Sequence, residues 1–282
     1  MGLKINLHIT QKCNYHCRYC FAHFENERDL AVGDWKRIID NIYASGDVDS
    51  INFAGGEPVL YSGFPELLAY ARNKGFRLSV ISNGSLMLNQ VLMPPKAFSM
   101  LDTLGISVDS LNEDTLVRLG ACTRSHEVLS SEKLSRLVLA AKKNNPSIKI
   151  KLNSVVTNLN YAEELSSLSR EISVDRWKIL RMKAFRNGSF SNEDLAVSDE
   201  SFMCFVDHHR GISKDVVVEN SLARSYIMVD NRGQLLDNID ENYHVMGNLL
   251  NEKFSDVFIR YLFDRETYES RYSENRLSAI AG

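Results

Sequence analysis

Apolar and polar positions alternate through LKINLHIT, residues 3–10, as in a strand with one face buried. Helical spacing follows in VGDWKRIIDNIYASG, residues 32–46, where Ile38, Ile39, Ile42 and Tyr43 fall on one side and Gly46 ends the run. This exchange of strand period for helix period recurs along the chain. Strands are predicted over 50–56, 76–84, 101–110, 148–156 and 175–185, and helices over 64–75, 131–145 and 161–172. Pro146 stops the helix over 131–145, because proline has no amide N–H to continue the ladder. Strands alternating with helices imply an α/β fold with a parallel sheet and helical crossovers. Residues 1–190 are therefore expected to form a barrel-like core.

The rhythm changes after Ser189. VVVEN and SYIMVDNRGQLLDN read as strands with a turn at Asn231–Gly233, and the tail from about residue 250 reads as helical or loosely ordered. Residues 191–282 are expected to be a C-terminal extension that closes the substrate site of one compact unit.

Composition narrows the functional classes. The net charge of −3 is not the basic excess of a nucleic-acid binder, so any anion site must be local. Lys4, Asn6 and His8 interrupt the first apolar run, which excludes it as a signal-peptide core or membrane span. Asn6 also stands where a myristoylation motif wants serine or threonine. No membrane and no nucleic acid are expected as partners. Five cysteines, three of them clustered, do not make a disulfide framework, and a cytoplasmic, reducing compartment is expected.

Sites on parallel α/β sheets lie at the carboxyl ends of the strands. The first four strands end in the cysteine loop, GGEP (55–58), SNGS (82–85) and SVDS (107–110). Glu57, Asn83, Ser107 and Asp109 can hydrogen-bond hydroxyl, amine or carboxylate groups there. Side chains alternate along a strand, so Lys151 and Asn153 share one face of the fifth strand and Arg176 and Lys178 one face of the sixth. Their apolar neighbours should meet the outer helices, which turns these four inward. Interior cations are costly without a partner, and a phosphate group would offset that cost.

The stretch KCNYHCRYCF places Cys13, Cys17 and Cys20 in a C-x3-C-x2-C loop. Closely spaced thiolates are iron–sulfur ligands, and three of them on a four-iron cube leave one iron open to another ligand. Structural zinc is the rival, with His16 or His23 as a fourth ligand.

The cysteine spacing followed by GGEP resembles the radical S-adenosylmethionine (SAM) superfamily. INFAGGEP, ISNGSL, ISVDS, KLNSVV, DRWKIL, VVVENS, SYIMVD and MGNLL together resemble the viperin family, in its prokaryotic form, over nearly the whole chain. The resemblance implies a partial (βα)6 TIM-like barrel and a [4Fe–4S] cluster on Cys13, Cys17 and Cys20, with SAM on its open iron. It places Gly55, Gly56 and Glu57 at the methionine amino group, Ser82, Asn83, Ser107 and Asp109 at methionine and ribose, and Tyr19 and Phe21 beside the adenine. It further implies dehydration of a ribonucleoside triphosphate (CTP, UTP or GTP) to its 3′-deoxy-3′,4′-didehydro analogue, an antiviral chain terminator. An electron-donor protein such as flavodoxin or ferredoxin would serve it. Lys151, Asn153, Arg176 and Lys178 would hold the triphosphate, Arg124 would replace a family arginine, and Tyr226 matches a tyrosine proposed to deliver a hydrogen. One departure is Ser50, where the animal proteins carry a phosphate-contacting lysine, so another cation must compensate or triphosphate affinity is weaker. A second radical reading is a cofactor-biosynthesis enzyme of the molybdopterin-precursor type. Those carry further cysteines near the C-terminus, and here only Cys204 lies beyond residue 122.

Overall fold

A computed structural model describes residues 2–20, 28–187, 190–209, 216–219, 224–237 and 243–272. Six parallel strands follow one another in order: β1 (Leu3–His8), β2 (Val48–Ala54), β3 (Arg77–Ser82), β4 (Thr103–Ser107), β5 (Lys149–Val156) and β6 (Arg176–Arg181). A two-residue hairpin, β7 (Arg186–Asn187) with β8 (Phe190–Ser191), stands apart. β9 (Val216–Glu219) continues the sheet beside β6, and β10 (Met228–Val229) runs parallel beside β1. β11 (Gln234–Asp237) and β12 (His244–Asn248) then add an antiparallel meander. The sheet order is β12-β11-β10-β1-β2-β3-β4-β5-β6-β9, which is the expected α/β partial barrel, open rather than closed.

The crossovers are α1 (Val32–Ser45), α2 (Phe64–Asn73), α3 (Glu113–Leu119), α4 (Ser131–Asn144) and the single turn α5 (Leu168–Glu171). α6 (Asp199–His209), α7 (Phe254–Phe258) and α8 (Arg265–Tyr272) follow. α1 buries Trp35, Ile38, Ile39 and Ile42, and Gly46 ends it with a left-handed φ of 74°. Tyr43, expected on that face, is exposed, and its ring meets Phe76 edge-on. Ser130 caps α4 by accepting from the Lys133 amide. The helix predicted over 161–172 shrinks to α5 through a contact with a distant part of the chain. The Leu165 amide donates to His209 Nε2 at 2.9 Å instead of to a carbonyl one turn back, so the ladder cannot propagate.

Each strand sorts its residues by parity. Ile5, Leu7, Ile51, Phe53, Val80, Leu104, Ile150, Leu152, Trp177 and Ile179 are fully buried in the core that joins sheet and helices. The opposite parity carries Lys4, Asn6, His8, Asn52, Ser79, Lys151, Asn153 and Lys178, all on the wall of one cavity. A closed TIM barrel fills its interior with branched apolar side chains. This one keeps a polar interior and hence a chamber. No described helix is long and apolar enough to cross a membrane.

Candidate active site

The cysteine loop leaves β1 and is gripped from two sides. Thr10 donates its hydroxyl to Asp29 at 2.8 Å, and the Lys12 amide donates back to Thr10 Oγ1 at 3.0 Å. The GGEP turn after β2 lies against this segment: the Gly56 amide donates to the Thr10 carbonyl and the Glu57 amide to the Lys12 carbonyl, each at 2.7 Å. A Cβ on Gly55 would sit 2.4 Å from the Thr10 oxygen, and one on Gly56 2.2 Å from the Lys12 oxygen. Gly55 also has φ +134°, which side chains rarely adopt. These glycines thus let the chain approach itself, which places Cys13. On the other side the amides of His16 and Arg18 donate to the carbonyls of Gly120 and Leu119, where α3 ends. Leu116, Leu119, Tyr15 and Cys122 form a small apolar cluster beneath the loop. The 113–119 helix was not legible as the loop's support, although Asn112 followed by an acidic first turn is a helix-start signal.

Glu57 is fully buried and is not on the cavity wall. Its carboxylate accepts from Ser82 Oγ and from the Asn83 amide, both at 2.8 Å. The carboxylate therefore orders the SNG turn, and only its glycine neighbours face the chamber. Asn83 in turn donates to Asn14 Oδ1 at 3.0 Å and lies 3.9 Å from the Cys13 sulfur. Tyr19 donates its hydroxyl to Asp109 in a short bond, and the other Asp109 oxygen accepts from the Val155 amide at 2.7 Å. Asp109 therefore ties the cysteine loop to the ends of β4 and β5. Tyr19, Gly55, Gly56, Ser82, Asn83, Ser107 and Asp109 all line the chamber, as do the three cysteines. Phe21 lies outside the described residues.

The chamber holds about 270 Å³ and runs from the thiols down to the cations. Lys151, Asn153 and Lys178 line it, and strand register sets Lys151 beside Arg176 and Asn153 beside Lys178. Asn153 is buried, and its side-chain nitrogen meets no acceptor among the described residues. Arg176 is half-buried and adjoins this floor without being on the cavity wall. Arg124 is exposed on the turn after α3, where the Thr123 amide donates to the Glu127 carbonyl at 2.9 Å, and it is not on the chamber wall. Tyr226 does reach it, 3.3 Å from His8 Nε2, with the two rings edge-on at 6.2 Å. Lys4, Asn6, His8, Asn52 and Ser79 were missed as site residues. The parity argument applied to β5 and β6 would have found them on the first three strands.

Burial governs the titration of the site. It pushes Glu57 up to about 7 and Asp109 up to about 6, and brings His8 down to about 3, which keeps its imidazole neutral. The Glu57 shift has a stability consequence. A carboxyl whose folded pKa exceeds its unfolded 4.5 favours the fold below pH 4.5, and that contribution is lost as pH rises through about 7. Glu57→Gln is expected to remove this dependence. The wild-type-minus-variant stability difference, from urea titrations of apoprotein, should fall by about 3 kcal/mol between pH 4.5 and 8. A flat difference would show that Glu57 keeps an ordinary pKa.

The donor set fits an iron–sulfur cluster. Cys13, Cys17 and Cys20 take part in no disulfide and all line the chamber. Burial pushes Cys13 up to about 11 and Cys17 well above its ordinary value, so a cationic centre is what would hold them as thiolates. His16 is exposed and does not join them, and His23 lies outside the described residues. Among the described residues no group of three or more His, Cys, Asp or Glu side chains converges on a single-ion site. A cluster asks for a wider arrangement, one thiolate per iron.

Comparison with known proteins accords with this geometry. Residues 7–157 match the radical SAM superfamily. The chain is 58% identical over 273 residues to a Selenomonas ruminantium protein named S-adenosylmethionine-dependent nucleotide dehydratase, covering 97% of this chain and 100% of the relative. It is 29% identical over 245 residues to the Oncorhynchus mykiss protein of the same description, RSAD2, covering 83% and 68%. In fold it is similar to the Streptococcus suis protein SuiB bound to S-adenosylmethionine, with TM-score 0.69 and 15% identity over 95% of this chain and 67% of that one.

Proposed function

The chain belongs to the radical SAM superfamily and, within it, to the viperin-like nucleotide dehydratases, and from that premise we propose that it dehydrates a ribonucleoside triphosphate to the 3′-deoxy-3′,4′-didehydro nucleotide. The observation that carries the reading is one chamber with three thiols at its rim and Lys151, Asn153 and Lys178 at its floor. When bound, the cluster with SAM supplies a 5′-deoxyadenosyl radical to take the ribose 4′ hydrogen, after which the 3′-hydroxyl leaves as water once one electron and one proton arrive.

The chain's own residues then have distinct tasks. Cys13, Cys17 and Cys20 would hold the cluster. Gly55, Gly56, Ser82, Asn83 and Ser107 face the space between thiols and floor, where SAM would lie. Glu57 and Asp109 position it indirectly, through the SNG turn and Tyr19. Lys151, Lys178 and Arg176 offer positive charge to the phosphates, and the Asn153 amide offers a buried donor. Tyr226, 3.3 Å from His8 Nε2, would deliver the electron and proton with which the 3′-hydroxyl leaves as water. Arg124 drops out of this set. The physiological reductant would be a one-electron carrier protein such as a flavodoxin or ferredoxin in the cytoplasm, and the product would serve antiviral defence as a chain terminator.

Anaerobic reconstitution with iron and sulfide, followed by SAM, dithionite and each of CTP, UTP, GTP and ATP, tests the reading. Nucleotide-dependent 5′-deoxyadenosine and a nucleotide product lighter by one water are expected with at least one triphosphate. SAM cleavage that no triphosphate stimulates would refute it.

A further inference from the structure

We infer that Lys4 is a further substrate-binding residue, holding the terminal phosphate at the floor of the chamber, and this rests on the nucleoside triphosphate reading above. Lys4 shares the inward parity of β1 with Asn6 and His8, and all three line the chamber. It stands four residues below His8, roughly 13 Å at the rise of a parallel strand. A ribose beside His8 and Tyr226 thus leaves room for a chain of phosphates that ends at Lys4.

The setting around Lys4 is cationic and polar. Its ammonium lies 3.5 Å from Ser79 Oγ, which donates to Asn52 Oδ1 at 2.8 Å. Burial, then the Arg176 guanidinium, then Arg77, bring its pKa down to about 8. Arg176 sits on β6, five strands away along the sheet, so the curl of the barrel brings the two cations to the same floor. The carboxylates of Asp49 and Asp102 are each engaged by an arginine, Arg77 at 2.7 Å and Arg72 at 2.9 Å. Arg77 is itself more than half exposed and directed to Asp49, which leaves it a poor phosphate ligand.

Register gives the inference its sharpest form. Lys4 pairs with Ser50 across β1 and β2, so positions 4 and 50 are neighbours on one face. Ser50 is buried and turns its hydroxyl to Asp49 at 2.7 Å. Lys4, one strand over from Ser50 on the same face, is thus placed to be the compensating cation.

Binding to the reconstituted holoprotein, measured by calorimetry with the triphosphate that supports turnover and with its monophosphate, tests this. Lys4→Met should weaken the triphosphate by about tenfold to a hundredfold, the range of a charge-assisted hydrogen bond, and leave the monophosphate unchanged. The exchange variant Lys4→Ser/Ser50→Lys should regain most of the lost triphosphate affinity. Lys4→Met protein that binds the triphosphate as tightly as wild type overturns the inference while the dehydratase reading stands. So does equal weakening of both nucleotides, which is a structural effect. Wild-type protein that binds no triphosphate overturns the functional reading and this inference with it.

Discussion

Cys17→Ala protein, made and reconstituted without oxygen, is expected to lack the iron–sulfur absorption band and to release no 5′-deoxyadenosine above background. On the proposed reading Cys13, Cys17 and Cys20 would each hold one iron of the cluster, so removing one would leave an iron without its ligand. The effect should be chemical and not a failure to fold. The loop around Cys17 is held by backbone bonds that alanine keeps: His16 and Arg18 to the end of α3, and Glu57 to Lys12. The apoprotein's urea stability should therefore stay within about 1 kcal/mol of wild type, because relieving one half-buried thiol creates little cavity. Cys122→Ala is the matched control, since Cys122 lies in the small cluster under the loop and not on the chamber wall. It should keep full iron content. Iron retained in the Cys17 variant at wild-type stoichiometry, with activity, would dismiss the three-thiol centre.

Gly56→Ala should produce nearly as large a loss from outside the ligand set. The new methyl would lie 2.2 Å from the Lys12 carbonyl oxygen and 2.6 Å from its carbon. Both are backbone atoms one residue before Cys13, so relief requires moving the cysteine loop itself. A strain of about 1–3 kcal/mol is expected, as for overpacking elsewhere. Iron affinity should fall on the order of tenfold to a hundredfold, as when the support of a metal ligand is disturbed. Gly46→Ala isolates the strain from the geometry. It forces a side chain into the left-handed region at the end of α1, where nothing lies within 4 Å of the added carbon. That variant should lose about 1–2 kcal/mol of stability and none of its iron. If both variants reconstitute alike, the close approach of GGEP to the cysteine loop has no functional weight.

These two variants separate what is local from what is not. GGEP reads as a glycine pair suited to a ligand, yet the atoms it approaches most closely belong to Thr10 and Lys12. Glu57 reads as a hydrogen-bonding rim residue, yet its carboxylate turns inward to Ser82 and Asn83. A turn motif shows that the backbone must be free of side chains; it does not show which atoms fill the space. Arg124 stands exposed and off the chamber wall for a related reason: where an arginine on a short turn lies depends on how that turn packs.

The pattern of the sequence by itself determined the succession of strands and helices, the two faces of β5 and β6 and the three-thiol loop, because parity and cysteine spacing act within a few residues and survive any packing. Tertiary structure alone decided the support of that loop by α3, the loss of helix at 161–167 to the imidazole of His209, and the approach that lets Lys4 feel the charge of Arg176. Each of these joins groups from distant parts of the chain, and only the curl of the sheet and the packing of its crossovers bring such groups together.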